Sequence, residues 1–261
     1  MPFMPILASE HGAAMDSLLL WVHLFVGVIF LFFLTIGLIA LRRFRESNAG
    51  ERQPVRGKWP LFVEIGVVAG ELALLFFVST PIWLSYAAAE APADQEPLEI
   101  RVVAQQFLWN IHYPGEDGVF GTTRIELAND VTNPIGLDHD DPAAADDIVN
   151  SNNLVVPVNR PIRIQMTTKD VIHSFYLPEM RVKRDIIPGM VSTVVFTPTM
   201  TTAQLQELTG NPERGFEIVC SQLCGLGHYR MRGYLLVLEE DEFEQWLIDN
   251  APDPDFDPFW S

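Results

Sequence analysis

The chain has 261 residues, of which 48% are hydrophobic, and its 34 acidic residues outnumber its 17 basic ones to give a formal net charge of −17 at pH 7. This length accommodates one or two domains. Because such an acidic surface repels phosphate groups, the composition excludes a nucleic-acid partner.

The first third of the chain contains two long apolar runs. Residues 17–41 carry no charged side chain, and as a helix of about 37 Å they would span a bilayer core of about 30 Å. Residues 60–86 form a second run that includes Glu64 and Glu71. A cleaved signal peptide is the alternative for the first run, but no basic region precedes it and the run is too long for a signal sequence. We therefore predict two transmembrane helices, over residues 17–41 and 60–86.

The segment between the two runs predicts the orientation in the membrane. It holds six basic residues, Arg42, Arg43, Arg45, Arg52, Arg56 and Lys58. Short loops rich in Lys and Arg stay on the cytoplasmic side, so we expect a two-helix hairpin in the cell membrane with both termini on the external, periplasmic side. The external residues 90–261 then hold 28 acids and 11 bases, which would attract a basic soluble partner or simply keep the domain soluble.

The external part reads as an all-β domain. Short β-branched or aromatic runs alternate with Pro, Gly and Asn from residue 98 onward, as is typical of a sandwich or barrel. Strands are predicted over residues 98–104, 107–113, 160–168, 192–197, 215–220 and 233–240. We predict three parts: an N-terminal segment with the hairpin over 1–89, the β domain over 90–250 and an irregular tail over 251–261.

Other stretches of the external part interrupt the strand pattern. Residues 127–153 are acidic and predict a long surface loop. Residues 199–215 include a helical turn before Gly210, and residues 241–250 form a helix for which Asp241 is the predicted N-cap.

The stretch CSQLCGLGHYRM, residues 220–231, contains both cysteines of the chain, Cys220 and Cys224, followed by His228 and Met231. Thiolate, imidazole and thioether are ligands that copper favours, whereas zinc rarely uses Met. A disulfide is the main alternative, because an external compartment permits one, although it leaves His228 and Met231 unexplained. A redox dithiol would show CxxC at the start of a helix. The stretch alone favours a metal site and leaves both alternatives open.

The number of cysteines bears on the number of metal ions. A mononuclear blue-copper site uses one Cys, two His and a weak axial Met, so with two cysteines either one thiolate is surplus or two metals are bound. A second copper needs a second histidine. His173 follows the strand at 160–168, and a sandwich loop could bring it beside residues 220–231. The remaining histidines lie elsewhere: His11, His23, His139 and His112, the last expected to be a surface or packing residue.

Four features together resemble subunit II of the haem-copper cytochrome c oxidases. They are CSQLCGLGHYRM, DVIHSFYLPEMRVKRDIIPGM, AQQFLWNIHYPG and the preceding hairpin. They occur in the family's order and cover most of the chain. The resemblance implies a cupredoxin-like, Greek-key β domain whose ligand loop joins the last two strands.

The resemblance also implies a dinuclear copper centre, called CuA, and assigns its ligands. Cys220 and Cys224 would bridge both coppers. His173 with Met231 would complete one copper, and His228 with the backbone carbonyl of Gln222 the other. Asp170 would hydrogen-bond a ligand and so tune the reduction potential.

The implied function is electron entry into a terminal oxidase. Cytochrome c, a cytochrome c-bearing neighbouring complex or an equivalent donor would reduce the copper centre, which would pass electrons to the haem of subunit I for O2 reduction coupled to proton pumping. Subunit I, the other oxidase subunits and membrane lipids are the expected partners, and catalysis belongs to the assembled cytochrome c oxidase.

Two other functions are open. A copper-free structural subunit of a quinol oxidase is disfavoured because all five side-chain ligands are present. A membrane-anchored copper carrier, or a reductase of another small molecule, is disfavoured by the matched hairpin with Glu64 in place.

The metal loop and the aromatic stretch depart from the family pattern. Gln222 stands where family members commonly have a Glu that binds magnesium, so we expect the magnesium site to be weakened or missing. Phe107 stands where a Trp usually admits electrons, which leaves Trp109 and Tyr113 as the larger aromatic residues. Packing within a strand is the favoured explanation for both Phe107 and Trp109.

Two further features of the sequence are assigned roles. Glu64 matches the family's proton-entry glutamate and is the candidate for proton uptake, whereas Glu71, deeper in the helix, is expected to be a protonated or hydrogen-bonded packing residue. The acidic residues 127–153 would be either a docking surface for a neighbouring complex or an inert solvated loop.

Overall fold

The computed structural model describes residues 4–45, 57–87, 91 and 95–252. The chain divides into two compact units, one of Ala13–Ala88 and one of Met1–Gly12 together with Ala89–Ser261. The predicted boundary at 89–90, two of the basic loop residues (Arg52 and Arg56) and most of the predicted tail lie outside the described residues.

The helical unit contains two spans that are long and apolar enough to cross a membrane. Helix α1 runs over Gly12–Arg43 and ends on two basic residues. The second span consists of α2 (Trp59–Leu74), a π-helical turn (Leu75–Ser79) and α3 (Thr80–Ala87). The two predicted helices are therefore present, and each extends somewhat beyond its predicted ends.

Pro81 accounts for the π-helical turn, which the sequence interpretation did not anticipate. Proline has no N–H group and its ring clashes with the carbonyl four residues earlier, here that of Phe77. The N–H of Thr80 bonds instead to the carbonyl of Leu75, five residues back. A local π turn is a common way for a helix to accommodate such an interruption.

The external unit is built from ten strands in the described part of the chain. They are β1 Leu98–Gln105, β2 Leu108–Tyr113, β3 Ile148–Ser151, β4 Asn153–Pro157, β5 Ile162–Thr168, β6 His173–Leu177, β7 Val182–Ile186, β8 Ser192–Phe196, β9 Phe216–Cys220 and β10 Arg232–Leu238. They form two five-stranded sheets, in the orders β3-β2-β1-β5-β8 and β4-β10-β9-β6-β7. Most neighbours are antiparallel, but β1 pairs parallel to β5 and β4 parallel to β10.

The core lies between the two sheets, and the alternation of residue types explains it. In β5, Ile162, Ile164 and Met166 are fully buried while the polar residues between them are partly exposed, as the alternating sequence predicts. Each fully buried side chain of this kind stabilises the fold by roughly 1.5–3 kcal/mol. This packed scaffold fixes the loops at its ends.

The prediction of a surface loop over residues 127–153 is wrong for part of that segment. Its last residues form β3 and the start of β4, and Ile135, Leu137 and Ala144 make a small buried cluster against Val103. The segment folds because its Asn and Asp side chains accept hydrogen bonds from nearby backbone N–H groups, as Asn129 does from residues 131 and 132. Polar composition here signals a hydrogen-bonded fold instead of a solvated loop.

The two short helices of the external unit begin at capping boxes. Helix α4 (Thr202–Thr209) is capped by Thr201 and ends at Gly210, whose φ of +62° is the left-handed conformation of a helix C-cap. Helix α5 (Glu240–Asn250) is capped by Glu239, whose backbone N–H donates to the side chain of Glu242 at 3.1 Å. The prediction of Asp241 as the N-cap is therefore wrong, and Asp241 lies in the first turn of the helix.

The segment before α1 packs onto the external unit. The N–H of Ala8 donates to the carbonyl of Glu179, and the carbonyl of Ala8 accepts from Thr199, both at 2.9 Å. Ser9 donates through its hydroxyl to the carbonyl of Met180 at 2.6 Å, and Ala8 is fully buried. This segment therefore belongs structurally to the β domain.

Candidate metal centre

Three strands bring the predicted ligands to one end of the sandwich. Strand β9 ends at Cys220, and β10 begins directly after Met231. Strand β6 begins at His173 and lies antiparallel to β9, with Phe175 opposite Cys220. Because this pairing is fixed by the sheet, a histidine 47 residues upstream reaches the loop between β9 and β10.

The two cysteine sulfurs occupy the middle of the cluster. Their Sγ atoms are 3.9 Å apart, far longer than the roughly 2.05 Å of a disulfide, and both are free thiols. Cys220 Sγ lies 3.9 Å from Nδ1 of His173 and 3.2 Å from the backbone oxygen of Gln222. The ligand atoms of His173, Cys220 and Cys224 all lie within 4.8 Å of one another.

The remaining two candidate ligands approach the same sulfurs. Cys224 Sγ lies 3.6 Å from Nδ1 of His228 and 3.7 Å from Sδ of Met231. Met231 Sδ is also 3.1 Å from Nδ1 of His173. All six donor atoms named by the resemblance therefore lie together, and both histidines turn Nδ1 towards sulfur.

Burial differs across the cluster. His173, Cys224 and Met231 are buried, with at most 3% of each exposed. Cys220 and His228 are partly buried, and the side chain of Gln222 is exposed. One side of the cluster is therefore sealed by the core and the other lies close to the surface.

Asp170 orients His173 from behind. Its Oδ1 lies 2.8 Å from Nε2 of His173, and its Oδ2 accepts the backbone N–H of Gln106 at 2.7 Å. The side chain of Gln106 donates to the carbonyl of Cys224 at 2.5 Å. An outer partner of this kind fixes which imidazole nitrogen faces the cluster. Asp170 was anticipated by the resemblance, whereas Gln106 was missed because a glutamine after a strand carries no distinctive signal.

The two thiols differ in their acidity. Burial acts to raise the pKa of Cys220, but hydrogen bonding with His173 and the neighbouring groups outweighs it and lowers the pKa to about 6. Burial raises the pKa of Cys224 to about 12, and the negative charge on Cys220 adds to this. Cys220 is therefore the more acidic of the two thiols, and cation binding would favour ionisation of both.

The histidine and its carboxylate partner are shifted in opposite directions. Burial acts to lower the pKa of His173, but Cys220 and Asp170 outweigh it and raise the pKa. Burial acts to raise the pKa of Asp170, but hydrogen bonds from His173 and from the backbone outweigh it and lower the pKa. The carboxylate is thus ionised at neutral pH and available to hold the ring.

The donor set fits soft or borderline metal ions. Two thiolates, two imidazoles, a thioether and a carbonyl are ligands of the copper type. Six donors exceed the four positions of a tetrahedral site, so the cluster can serve more than one ion.

The other residues singled out from the sequence lie outside the cluster. Glu64 and Glu71 lie on α2, in the helical unit, and both are exposed in the chain. His139 is exposed in the acidic segment. His112 is 1% exposed and hydrogen-bonded to Asp147 at 2.7 Å, so of the two expected roles it has the packing one.

The aromatic residues of the β1–β2 region pack within the external unit. Trp109 is fully buried and lies edge-on to His173, with ring centroids 6.2 Å apart. The hydroxyl of buried Tyr113 donates to the carbonyl of Val155 and accepts its N–H. Phe107 lies against the ligand loop, where a β-carbon at Gly227 would overlap its ring. Phe107 therefore packs against the loop that carries the candidate ligands.

The fold and the cluster define a class: a membrane-attached protein whose external, cupredoxin-like domain carries a candidate site for soft metal ions. The family model described as "Cytochrome C oxidase subunit II, periplasmic domain" matches residues 98–237. The chain belongs to the cytochrome c oxidase subunit II family. It is thus a subunit of the haem-copper oxidase type, and a membrane protein with an external domain.

Individual relatives agree with this assignment. The chain is 31% identical over 204 residues to "Alternative cytochrome c oxidase subunit 2" of Bradyrhizobium diazoefficiens, covering 78% of this chain and 67% of the relative. It is 26% identical over 271 aligned residues to "Cytochrome c oxidase subunit 2" of Synechocystis sp., covering 96% of this chain and 76% of the relative. Among solved structures, the periplasmic domain of subunit II of cytochrome oxidase of Bradyrhizobium japonicum is 32% identical, with a TM-score of 0.40, over 61% of this chain and 95% of that one.

Proposed function

We propose that this chain is the electron-entry subunit of a terminal haem-copper oxidase and that its external domain holds a dinuclear copper centre of the CuA type. The observation that carries the proposal is the convergence of six donor atoms, from residues as far apart as His173 and Met231, at one end of the sandwich. Such a centre, when bound, accepts one electron at a time from a donor such as cytochrome c and passes it to the haem of subunit I.

The protein residues would divide the work of holding the metals. Cys220 and Cys224 lie between the two histidines and would be shared by both ions. His173 with Met231 would hold one ion, and His228 with the carbonyl of Gln222 the other.

The surroundings of the cluster support an electron-transfer role. Strands β6, β9 and β10 fix the ligands in a packed core, and Asp170 holds His173 in one orientation. Rigid ligands keep the geometry unchanged between oxidation states, which lowers the cost of rearrangement on electron transfer. The net charge of −17 would attract a basic donor and accelerate its encounter in a salt-dependent manner.

The N-terminal segment supports an orientation with both termini outside. Ala8 and Ser9 bond to the external domain, which favours an N-terminus on the same side of the membrane as that domain. In that orientation, two membrane crossings before residue 95 would leave the basic residues at the end of α1 on the cytoplasmic side, in agreement with the positive-inside rule.

Copper analysis and electron spin resonance of the copper-loaded full chain test the proposal. We expect two coppers per chain and a spectrum from one unpaired electron shared equally between them. A single-copper spectrum would refute the dinuclear centre, and failure to take up copper would favour the alternative of a copper-free structural subunit.

Magnesium should not be held by the side chain of Gln222. An amide lacks the negative charge with which a carboxylate binds this hard cation, so we expect the variant Gln222→Glu to bind magnesium more tightly than the native chain within the assembled oxidase. Metal analysis of the two complexes measures this. Equal, stoichiometric magnesium in both complexes would contradict the prediction.

Glu64 is proposed to take up protons near the cytoplasmic end of α2. The change Glu64→Gln should slow oxygen consumption by the assembled oxidase by at least about tenfold, because a proton-transferring group typically contributes more than this, while the copper spectrum stays native. Glu71→Gln, the same change seven residues along the helix, is the matched control. Native turnover of Glu64→Gln at every pH would exclude the role.

A further inference from the structure

Lys169, which follows β5, connects the acidic segment between β2 and β3 to the end of β1. The part involved, here called the tip loop, is residues 129–134, in which Asn129 and Asn133 exchange backbone hydrogen bonds of 2.9 and 3.0 Å. Lys169 Nζ donates to Oδ1 of Asp130 at 2.5 Å and to the carbonyl of Pro134 at 2.9 Å. The tip loop is therefore held by one ammonium group.

The same ammonium group bonds to β1. Lys169 Nζ donates to Oε1 of Gln105 at 2.9 Å, which uses the third of its three N–H donors. The Lys169 side chain is 18% exposed, whereas that of Asp130 is 74% exposed. Gln105 is buried, and its Oε1 also accepts a bond from Asn110. Removing the ammonium group would leave a buried amide oxygen with one donor fewer, which is a costly change.

The residues that follow Gln105 and Lys169 in the chain bond directly to residues of the metal cluster. The residue after Gln105 is Gln106, which bonds to the carboxylate of Asp170 and to the carbonyl of Cys224. The residue after Lys169 is Asp170, which bonds to His173. The backbone of Lys169 is itself tied to β1 by a 3.1 Å bond to the carbonyl of Ala104.

We propose that Lys169 is a positioning residue for the metal centre and that the tip loop serves to hold Lys169 in place. This inference rests on the proposed copper-binding function and deepens it. Lys169 touches none of the six donor atoms; it acts by fixing Gln105 and the start of the loop that carries Asp170. The acidic segment thereby gains a role distinct from docking a partner.

Copper retention measured by competition with a copper chelator tests the proposal, using the copper-loaded full chain in detergent. Loss of an outer partner typically weakens metal binding by 10–100-fold, so we expect Lys169→Met to lose copper to the chelator about tenfold more readily than the native chain. The absorption spectrum of the copper that remains should also shift, because the ligands are held differently. A purely structural effect would lower the amount of bound copper without changing its spectrum.

Asp130→Ala tests the role of the tip loop at a position whose exposure leaves folding intact. Asp130→Ala should weaken copper retention less than Lys169→Met does, because Lys169 still has two of its three hydrogen-bond acceptors. The double variant should be no worse than Lys169→Met alone, because Asp130 acts through Lys169. Exposed Lys183 provides the matched control, and Lys183→Met should behave as the native chain.

The outcomes separate this inference from the proposed function. If the native chain fails to bind two coppers, the proposed function is wrong. If the native chain binds them and Lys169→Met or Asp130→Ala retains copper with native strength and spectrum, the positioning role is wrong. Full additivity in the double variant would also overturn it, because the tip loop would then act independently of Lys169.

Discussion

Replacing Cys224 by Ser is expected to abolish the shared-electron copper spectrum and to weaken copper retention by well over about 100-fold, since loss of an outer partner alone costs 10–100-fold. Cys224 Sγ lies within 3.9 Å of three other donor atoms, those of Cys220, His228 and Met231. Serine offers a hard oxygen that stays protonated at neutral pH and cannot take the place of a thiolate between two soft ions. Electron spin resonance and copper analysis of the full chain measure the loss.

Ser221→Ala is the matched control for this change. Ser221 is exposed in the same loop, and its backbone N–H, which donates to Ser174 at 3.0 Å, survives the substitution. We expect two coppers and a native spectrum from this control. Two coppers sharing one electron in Cys224→Ser would show that this sulfur is not a ligand.

The sequence predicts those parts of the cluster whose signals are local. Cys220, Cys224, His228 and Met231 fall within twelve residues, so their spacing alone favours a metal site over a disulfide or a redox dithiol. His173 could be proposed as the second histidine but was assigned as a ligand only through the resemblance. The proposed contribution of Gln222 is a backbone oxygen, which was assigned through the resemblance because no side-chain pattern can predict it.

Most contacts between residues distant in the sequence escaped prediction, although Asp170 itself was assigned a hydrogen bond to a ligand through the resemblance. Gln106 and Asp170 are 64 residues apart, and so are Gln105 and Lys169. Neither pair has a spacing or composition that marks it, because each is created by the pairing of β1 with β5.

Whether a strand could be predicted depended on whether its own sequence alternates apolar and polar residues. Strand β5 alternates apolar and polar residues and was predicted, whereas β6 is buried at four of its five positions and so lacks alternation. Strands β3 and β4 are short and follow an acidic segment whose composition suggested a loop. Long-range pairing, not local preference, makes these segments strands.

Removing the side chain of Trp109 should have the largest effect on the stability of the external unit. Trp109 is fully buried and packs edge-on against Phe175 at 5.4 Å and against His173 at 6.2 Å between ring centroids. Truncating a buried aromatic residue to Ala costs about 3–5 kcal/mol. We expect Trp109→Ala to lower the free energy of unfolding of the metal-free chain by that amount, measured by urea unfolding with circular dichroism.

Two control variants separate packing from metal binding. Trp109→Phe should cost much less than Trp109→Ala, because Nε1 of Trp109 makes no hydrogen bond within the described part of the chain and a second aromatic ring fills most of the space. Trp246→Ala removes a partly buried ring that contacts Tyr113 and Phe243, so it should reduce stability while leaving the copper spectrum native. Because Trp109 supports the ring of His173, Trp109→Ala should both reduce stability and change the copper spectrum. A native copper spectrum in Trp109→Ala would mean that Asp170 alone is sufficient to orient His173.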